Sequence, residues 1–173
     1  MKSEFTAVEI TLRDGRVVHV RAMLPADEAE ILQAFDRLSQ DARYMRFMRT
    51  VREANVERLR KTLASFPESG LGLVATIPAT DGIDIVGAAI FVIGSDPATC
   101  EFAITIAAGY GGAGLGRTIL AALIAAAKQR GLKEMEGFVL AANKPMLGLA
   151  ARVGFDVSID PGDRSIRLCR LRL

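Results

Sequence analysis

A glycine-dense turn between a predicted strand and a predicted helix constrains this chain more than any other feature of its sequence. Five of the eight residues in Gly109–Gly116 are glycine. Glycine loses more backbone entropy on folding than other residues, so this cluster is costly if it serves only as a tight turn. Glycine backbones can approach a ligand closely, and the first N–H groups of a helix attract anions. The turn therefore predicts a site for a phosphate-bearing ligand.

Size and composition indicate one folded domain over residues 1–173. Half of the residues are hydrophobic and 24% are charged, a balance typical of folded proteins and not of disordered ones. No apolar run approaches the ~20 residues that span a bilayer, and the start, MKSEFTAVEI, has no apolar signal segment. The cytoplasm is therefore the default expectation. The formal net charge of +2, without a Lys/Arg block, argues against nucleic-acid partners, and no membrane partner is expected.

Histidine and cysteine are scarce in this sequence, and this scarcity argues against several kinds of active site. His19 is the only histidine, so a Ser-His triad, a Cys-His pair and a histidine-rich metal site cannot form. Cys100 and Cys169 lack CxxC spacing, which excludes a zinc ribbon and a thioredoxin motif. A free thiol nucleophile stays open, although isolated cysteines in strands are usually buried small hydrophobes. We expect no metal.

Periodicity predicts seven strands and five helices. Strand patterns cover residues 7–12, 16–23, 71–77, 83–93, 99–106, 135–140 and 164–173, and helical spacing covers residues 25–38, 40–48, 54–66, 114–130 and 144–153. Asp14-Gly15 is typical of a hairpin turn between the first two strands. The short gaps between the middle strands fit an antiparallel meander, whereas strand–helix–strand order around the glycine turn requires a parallel crossover. The predicted fold class is mixed α/β: a central mixed sheet, mostly antiparallel with one parallel crossover, flanked by helices.

Two general phosphate-binding motifs match the turn but not its surroundings. Gly109-x-Gly111-x-x-Gly114 satisfies the dinucleotide fingerprint, yet the next predicted strand ends in Leu140-Ala141-Ala142-Asn143, without an acid to bind ribose. Only thirty residues then remain, too few for further βαβ units. Gly111-x-x-x-x-Gly116-Arg117-Thr118 is a P-loop pattern with arginine in place of lysine, and no later apolar strand ends in a metal-binding Asp. The sequence that follows the turn therefore fits neither a dinucleotide-binding site nor a P-loop.

A third interpretation fits most of the chain. Gly111-Gly112-Ala113-Gly114-Leu115-Gly116 resembles the coenzyme A pyrophosphate loop of the GNAT superfamily of N-acetyltransferases, whose pattern is Q/R-x-x-G-x-G/A. The predicted element order resembles the topology of that family. Asn143-Lys144-Pro145-Met146 resembles its later helix start, and Arg152-Val153-Gly154-Phe155 its terminal Gly-Phe. The resemblance implies a GNAT-like sheet and acetyl-CoA as co-substrate.

Two upstream segments resemble a narrower group, the bacterial Pat-type protein lysine acetyltransferases. These are Leu38-Ser39 followed by Arg43-Tyr44-Met45-Arg46-Phe47, and the strand segment Glu101-Phe102-Ala103-Ile104. This likeness implies direct acetyl transfer to a protein lysine.

Two positions depart from the family pattern. Gly111 stands where the family has Gln or Arg, which removes a polar side chain near the phosphates, but backbone N–H groups can still bind them. Ala150 stands where many members have a tyrosine that protonates the leaving thiolate. Water can protonate a coenzyme A thiolate, so catalysis remains feasible.

Glu101 is the candidate general base. An amine acceptor is mostly an ammonium ion, since a lysine side chain has a pKa near ~10.4, and it must lose a proton before attacking a thioester. Without a usable histidine, a carboxylate must take that proton, and burial that raises its pKa would help. Glu101 begins the strand that leads into the glycine turn, at the spacing of the Pat-type glutamate. The alternative is an ordinary solvated glutamate at a strand end.

Successive side chains of a strand point to opposite faces of the sheet, which predicts where the neighbours of Glu101 lie. Ala103 and Thr105 share its face, and Phe102 lies on the opposite one. Cys100 should also point away from Glu101 and be structural. Glu134 and Glu136, which flank the next strand, are expected at the surface.

The resemblance also implies the cofactor contacts. Pantetheine would lie beside the strand that contains Ile104 and Ile106, and a backbone N–H near Ile106 would stabilise the thioester oxygen. Asn143 would bind the pantetheine arm or cap the next helix. The pyrophosphate would be held by Gly111, Gly112, Ala113, Gly114, Gly116 and Arg117.

The acceptor is the least constrained part of the hypothesis. Arg43, Tyr44, Arg46 and Phe47 fall on a short helix where GNAT enzymes receive their acceptor. The apolar stripe there can equally be core, and the arginines can orient an acidic acceptor or form a solvated face. A protein lysine should need an open cleft, whereas a small amine should be enclosed by the segment after Leu38.

Three functions follow from these observations. The first is an acetyl-CoA-dependent acetyltransferase that acts on a protein lysine. The second keeps this fold but acts on a small-molecule amine. The third is a non-catalytic, regulatory acyl-CoA-binding domain, which Gly111 and Ala150 suggest. The sequence is also compatible with a homodimer.

Overall fold

The computed structural model describes residues 5–173, in which eight strands form one continuous sheet. The strands are β1 (Val8–Thr11), β2 (Val17–Ala22), β3 (Gly70–Ala79), β4 (Gly82–Ile93), β5 (Thr99–Ile106), β6 (Glu134–Leu140), β7 (Asp156–Ile159) and β8 (Ile166–Arg172). Their order across the sheet is β1-β2-β3-β4-β5-β6-β8-β7. All neighbours pair antiparallel except β5 and β6, which are parallel. The predicted mixed sheet with one parallel crossover is confirmed.

Five α-helices flank the sheet in the described residues. They are α1 (Glu28–Asp36), α2 (Gln40–Phe47), α3 (Val56–Ser65), α4 (Leu115–Gln129) and α5 (Lys144–Arg152). The first predicted helix begins with a short 3₁₀ turn at Pro25–Asp27 before α1. None of the helices in this part of the chain is long and apolar enough to cross a bilayer.

Side-chain caps and a glycine mark the ends of several helices. The Ser39 hydroxyl accepts a hydrogen bond from the Ala42 N–H at 3.1 Å, which caps α2. Asn55 caps α3 in the same way through the Arg58 N–H at 2.9 Å. Gly131, with φ of 77°, follows α4 in the left-handed conformation that commonly ends a helix.

The prediction of seven strands was incomplete because it missed β7. This strand has four residues and pairs only with β8, at the edge of the sheet. Its apolar side chains, Val157 and Ile159, are 40% and 50% exposed. A short strand without a buried face has little hydrophobic patterning that a sequence reading could detect.

The two faces of the sheet carry different helices. Buried α4 side chains such as Leu120 and Leu123 pack with Leu73 and Phe91 of the sheet, and Ala150 of α5 joins the same core. On the opposite face, a second core joins α1 and α3 to β3 and β4; its members include Ile31, Leu59, Leu63, Val74 and Ile85. The sheet therefore separates a face covered by α4 and α5 from a face covered by α1 to α3.

The parallel pair β5–β6 separates soon after it begins. Its register covers only Thr99–Glu101 against Glu134–Glu136, after which β5 stays with β4 and β6 stays with β8. The Phe102 ring occupies the space where the two strands part. It packs against Phe155, with ring centroids 4.9 Å apart, and lies directly over Gly137. This separation opens a cleft in the middle of the sheet.

We predict that Gly137→Ala destabilises the fold by about 2 kcal/mol, because a Cβ there would lie 2.4 Å from the Phe102 ring. Gly148→Ala is the matched control: its nearest neighbour would be 4.0 Å away, and alanine favours the α5 helix. Urea unfolding of both variants measures the difference. Equal stabilities would contradict the packing described for Phe102.

Candidate active site

A cavity of about 700 Å³ fills the cleft between the separated strands. It extends from the glycine turn at residues 111–114 along β5 to the start of α5. Its lining includes every residue predicted for catalysis and cofactor binding: Glu101, Ile104, Ile106, Gly111, Gly112, Ala113, Gly114, Gly116, Arg117 and Asn143. The structure therefore brings the candidate base and the candidate phosphate loop to one cleft.

The glycine turn has a backbone shape that other residues rarely adopt. Gly112 and Gly114 have φ of 75° and 92°, in the left-handed region where a side chain is strained. Gly114 is the N-cap of α4, and its carbonyl accepts from both the N–H and the hydroxyl of Thr118. Among the described residues, no acceptor pairs with the backbone N–H groups from Gly111 to Arg117. These free donors, at the positive end of a 15-residue helix, suit an anion.

The β1–β2 hairpin holds this turn in place. The Arg13 guanidinium donates to the Gly112 carbonyl at 2.8 Å, and the Arg13 N–H donates to the Ala113 carbonyl at 3.1 Å. Arg16 donates to the Gly109 carbonyl at 2.8 Å and stacks over the Tyr110 ring. These contacts fix the loop carbonyls on one side and leave its amide groups free.

Arg13 is a site residue that the sequence analysis missed. It lines the cavity beside the start of α4 and adds a positive charge where Gly111 supplies no side chain. Arg117 is exposed at the same mouth. The hairpin signal at Asp14-Gly15 was visible in the sequence, but its contact with a loop almost a hundred residues away was not.

The free edge of β5 presents backbone groups to the cleft. The Ala107 N–H donates to the Val86 carbonyl of β4 at 2.9 Å. Backbone groups alternate sides along a strand, so those of Ile104 and Ile106 point toward the gap that β6 has left. An extended ligand could pair with them as a neighbouring strand would.

Asn143 and Ala150 belong to the α5 region at the far end of the cleft, and their surroundings limit the roles that they can have. The Asn143 side-chain oxygen accepts from the Met146 N–H at 3.4 Å and caps α5, which leaves its NH₂ group as a donor toward the cavity. Both roles considered for Asn143 are thus compatible. Ala150 is fully buried, so the position contributes packing and no proton donor.

Glu101 lies at the last position where β5 and β6 pair. Val92 and Glu136 are its register partners, so these three side chains share the sheet face that α1 to α3 cover. Cys100, as predicted, points into the opposite core and is 2% exposed. Glu101 itself remains exposed to the cleft.

The electrostatic surroundings favour a proton-accepting role for Glu101. Partial desolvation raises its pKa above the ordinary value, and the adjacent negative charge of Glu136 adds to the rise. The positive charges of Arg46 and Arg58 act in the opposite direction. Sequence reasoning expected Glu136 at the surface and missed this influence; its carboxylate is 31% exposed and lies 3.5 Å from Arg170.

The two arginines of α2, Arg43 and Arg46, have different surroundings. Arg43 is buried, and its guanidinium donates to the carbonyls of Phe35, Asp36 and Arg52. It therefore holds the fold together and is neither a solvated residue nor an acceptor contact. Arg46, one helical turn further on, is half-buried and lines the cleft near Glu101.

The described residues contain no cluster of three or more His, Cys, Asp or Glu that could hold a metal ion. The groups available for chemistry are a carboxylate, several arginines and backbone amides.

These features coincide with a known family. A model of the acetyltransferase (GNAT) domain matches residues 18–156. The chain belongs to the GNAT acetyltransferase family.

Individual relatives agree with this assignment. The chain is 31% identical to acetyltransferase PA5475 of Pseudomonas aeruginosa, over 99% of this chain and 95% of that protein. The GNAT domain of S. lividans PAT has a TM-score of 0.86 at 19% identity, covering 96% and 97% of the two chains. The phosphinothricin acetyltransferase of Sinorhizobium meliloti, solved in complex with AcCoA, has a TM-score of 0.71 at 15% identity, covering 90% and 88%. The two structures share the fold with this chain.

We predict that Glu136→Gln lowers the pKa of Glu101. Removing the adjacent negative charge makes the ionised form of Glu101 less unfavourable, so its titration moves toward lower pH. An NMR titration of ¹³C-labelled glutamate side chains measures the shift. Glu134→Gln, which removes an acid paired with Arg170 at 3.1 Å, is the control and should move the Glu101 titration less. Equal shifts would show that Glu136 is not the specific neighbour.

Proposed function

We propose that this chain is an N-acetyltransferase that uses acetyl-CoA and transfers the acetyl group directly to a primary amine. The observation that carries the proposal is the single cleft that joins an anion-binding glycine loop to a carboxylate of raised pKa. The proposal treats residues 1–173 as one catalytic domain. Its family membership supports acetyl transfer, and a GNAT neighbour of the same fold was solved with AcCoA.

The cofactor fits the cleft by its chemistry. Free N–H groups from Gly111 to Arg117 would bind the pyrophosphate, with Arg13 and Arg117 supplying positive charge. The edge of β5 at Ile104 and Ile106 would pair with the amide groups of pantetheine, and the Asn143 NH₂ group would reach the same arm. Bound acetyl-CoA supplies a thioester carbonyl as electrophile and a thiolate as leaving group.

Glu101 would take the proton from the acceptor ammonium and free the nitrogen lone pair for attack on the thioester carbon. The backbone N–H of Ile106 would donate to the carbonyl oxygen while negative charge develops there. Attack would form the C–N bond while the C–S bond breaks, and it would leave a second proton on the nitrogen. Since Ala150 offers no proton donor, this second proton would pass through water to the departing thiolate, which gives a neutral amide and a thiol.

The cysteines support direct transfer without an acyl-enzyme. Burial raises the pKa of the Cys100 thiol to about 12, and Cys169 is also buried with a raised pKa. A thiol that stays protonated at neutral pH is a poor nucleophile. The amine therefore attacks the thioester itself.

We propose a protein lysine as the acceptor, since the resemblance of Leu38–Phe47 and Glu101–Ile104 to Pat-type enzymes implies one. A small-molecule amine is the second candidate. It is favoured by a second cavity, of about 710 Å³, whose walls include the segment after Leu38. Acetylation of folded proteins compared with small amines separates the two.

We predict that Glu101→Gln lowers turnover at least about 10²-fold, because the amide cannot accept the ammonium proton. Coenzyme A affinity should change little, since Glu101 lies away from the glycine loop. Release of free coenzyme A thiol measures turnover, and calorimetry measures binding. Glu134→Gln is the matched control and should retain activity. Full activity of Glu101→Gln would refute the assignment of the base, whereas coenzyme A binding without acetylation of any amine would identify a non-catalytic domain.

We also predict that Gly114→Ala weakens coenzyme A binding about tenfold. Alanine at a φ of 92° costs about 1–2 kcal/mol and disturbs the loop at the helix start. Gly111→Ala is the control, because its backbone is outside the left-handed region and a Cβ there would meet nothing within 4 Å. Calorimetric titration with coenzyme A compares the two. Equal affinities would show that the loop backbone does not position the phosphates.

A further inference from the structure

The second cavity lies on the sheet face that carries Glu101. It is lined by α1, α2, α3, the residues 49–55 between α2 and α3, and strands β4 and β5. Ala103 and Thr105 of β5 line both this cavity and the cleft. The two spaces therefore meet along β5, next to the candidate base.

The lining of this second cavity is strongly positive. Four arginines line it, namely Arg46, Arg49, Arg52 and Arg58, whereas Glu53 is the only carboxylate that residues 5–173 contribute to the lining. An anion entering this space would meet four guanidinium groups against one acid.

The described residues give these four guanidinium groups no carboxylate or carbonyl partner. Within residues 5–173 none of them has a side-chain hydrogen bond or an ion pair. Other arginines on the same side of the sheet are paired: Arg37 with Asp84, and Arg60 with Glu28. Within the described residues, the arginines that line this cavity are therefore not neutralised by a carboxylate.

Of the four arginines, Arg46 gives the strongest evidence that the second cavity binds an anion. It lines both cavities, is half-buried, and packs its guanidinium over the Phe47 ring at 4.8 Å. Burial and the nearby charge of Arg58 lower its pKa to about 10, while Glu101 opposes this fall. Within residues 5–173 the Arg46 guanidinium has no hydrogen bond or ion pair, so its donors remain available. A bound anion could accept from them.

We propose that the arginines of the second cavity bind a carboxylate on the amine acceptor itself, so that the enzyme selects amines with a nearby negative charge. This inference rests on the proposed function and specifies its acceptor. Arg46 and Arg58 hold the carboxylate while the amine extends along β5 toward Glu101. The same chemistry occurs in a lysine flanked by acidic residues and in a free amino acid, and the experiment below separates these sources.

The test compares acceptors that differ only in charge. One pair is a lysine peptide flanked by two glutamates and the same peptide flanked by two glutamines; the other is free lysine and lysinamide. We expect kcat/KM to be about tenfold higher for the charged member of at least one pair, mainly through KM. The pair that shows the preference identifies the source. Added salt should reduce the preference, since it screens the partly exposed charges.

Variants locate the preference on the structure. Arg58→Gln should reduce the ratio between charged and neutral acceptors several-fold, whereas Lys61→Gln should not, because Lys61 carries the same charge on α3 but lies outside the cavity. Thermal melting verifies that both variants are folded. Calorimetry with the charged peptide and with free lysine, in the presence of coenzyme A, gives the same comparison without turnover.

The outcomes are distinguishable. Equal use of charged and neutral acceptors, or equal effects of Arg58→Gln and Lys61→Gln, would overturn the carboxylate site and leave the proposed acetyl transfer intact. Absence of acetylation of every amine would overturn the proposed function, and this inference with it.

Discussion

The separation of β5 from β6 is the constraint on which the rest of the structure depends. A continuous sheet would use every backbone donor and acceptor of β5 for its neighbours. Here pairing ends at Glu101 and Glu136, because the Phe102 ring takes the space above Gly137 while β6 continues beside β8. The separation creates the cleft and frees one edge of β5. It also leaves Glu101 at the apex, where the two cavities approach each other.

The electrostatic layout follows the same geometry. Positive groups collect at the glycine loop, where helix amides, Arg13 and Arg117 converge, and again beneath α2 and α3 around Arg46. Between them, Glu101 and Glu136 lie side by side at the end of the strand pairing. A cofactor and an acceptor that both carry negative charge would thus approach from opposite sides of a central acid. The Glu101 carboxyl, whose pKa is raised by desolvation and by Glu136, thus lies between two groups of positive charge, of which the one around Arg46 lowers this pKa.

Sequence patterns predicted those features that are encoded locally. β5 spans the predicted residues, and the strand–helix–strand order around the glycine loop yields the parallel pair. The loop, the edge of β5 and Glu101 were selected because each belongs to a continuous motif. Their convergence in one cavity supports that selection, while their individual roles stay predictions.

Features that depend on the order of strands across the sheet could not be predicted. Glu136 becomes the neighbour of Glu101 only through the register of β5 and β6. Arg13 reaches the loop only because the hairpin folds beside it. The short edge strand β7 and the two cavities likewise arise from packing between distant segments.

The hydrogen bonds from the β1–β2 hairpin to the glycine loop link the stability of two segments that lie far apart in sequence. Arg13 and Gly112 are separated by 99 positions, so the shape of the glycine loop depends on a contact that only the folded sheet provides. Local unfolding of the β1–β2 hairpin would make the glycine loop less ordered, even while the central strands remain paired. Ligand in the cleft would then stabilise the edge of the sheet and slow amide exchange in β2, which does not line the cleft.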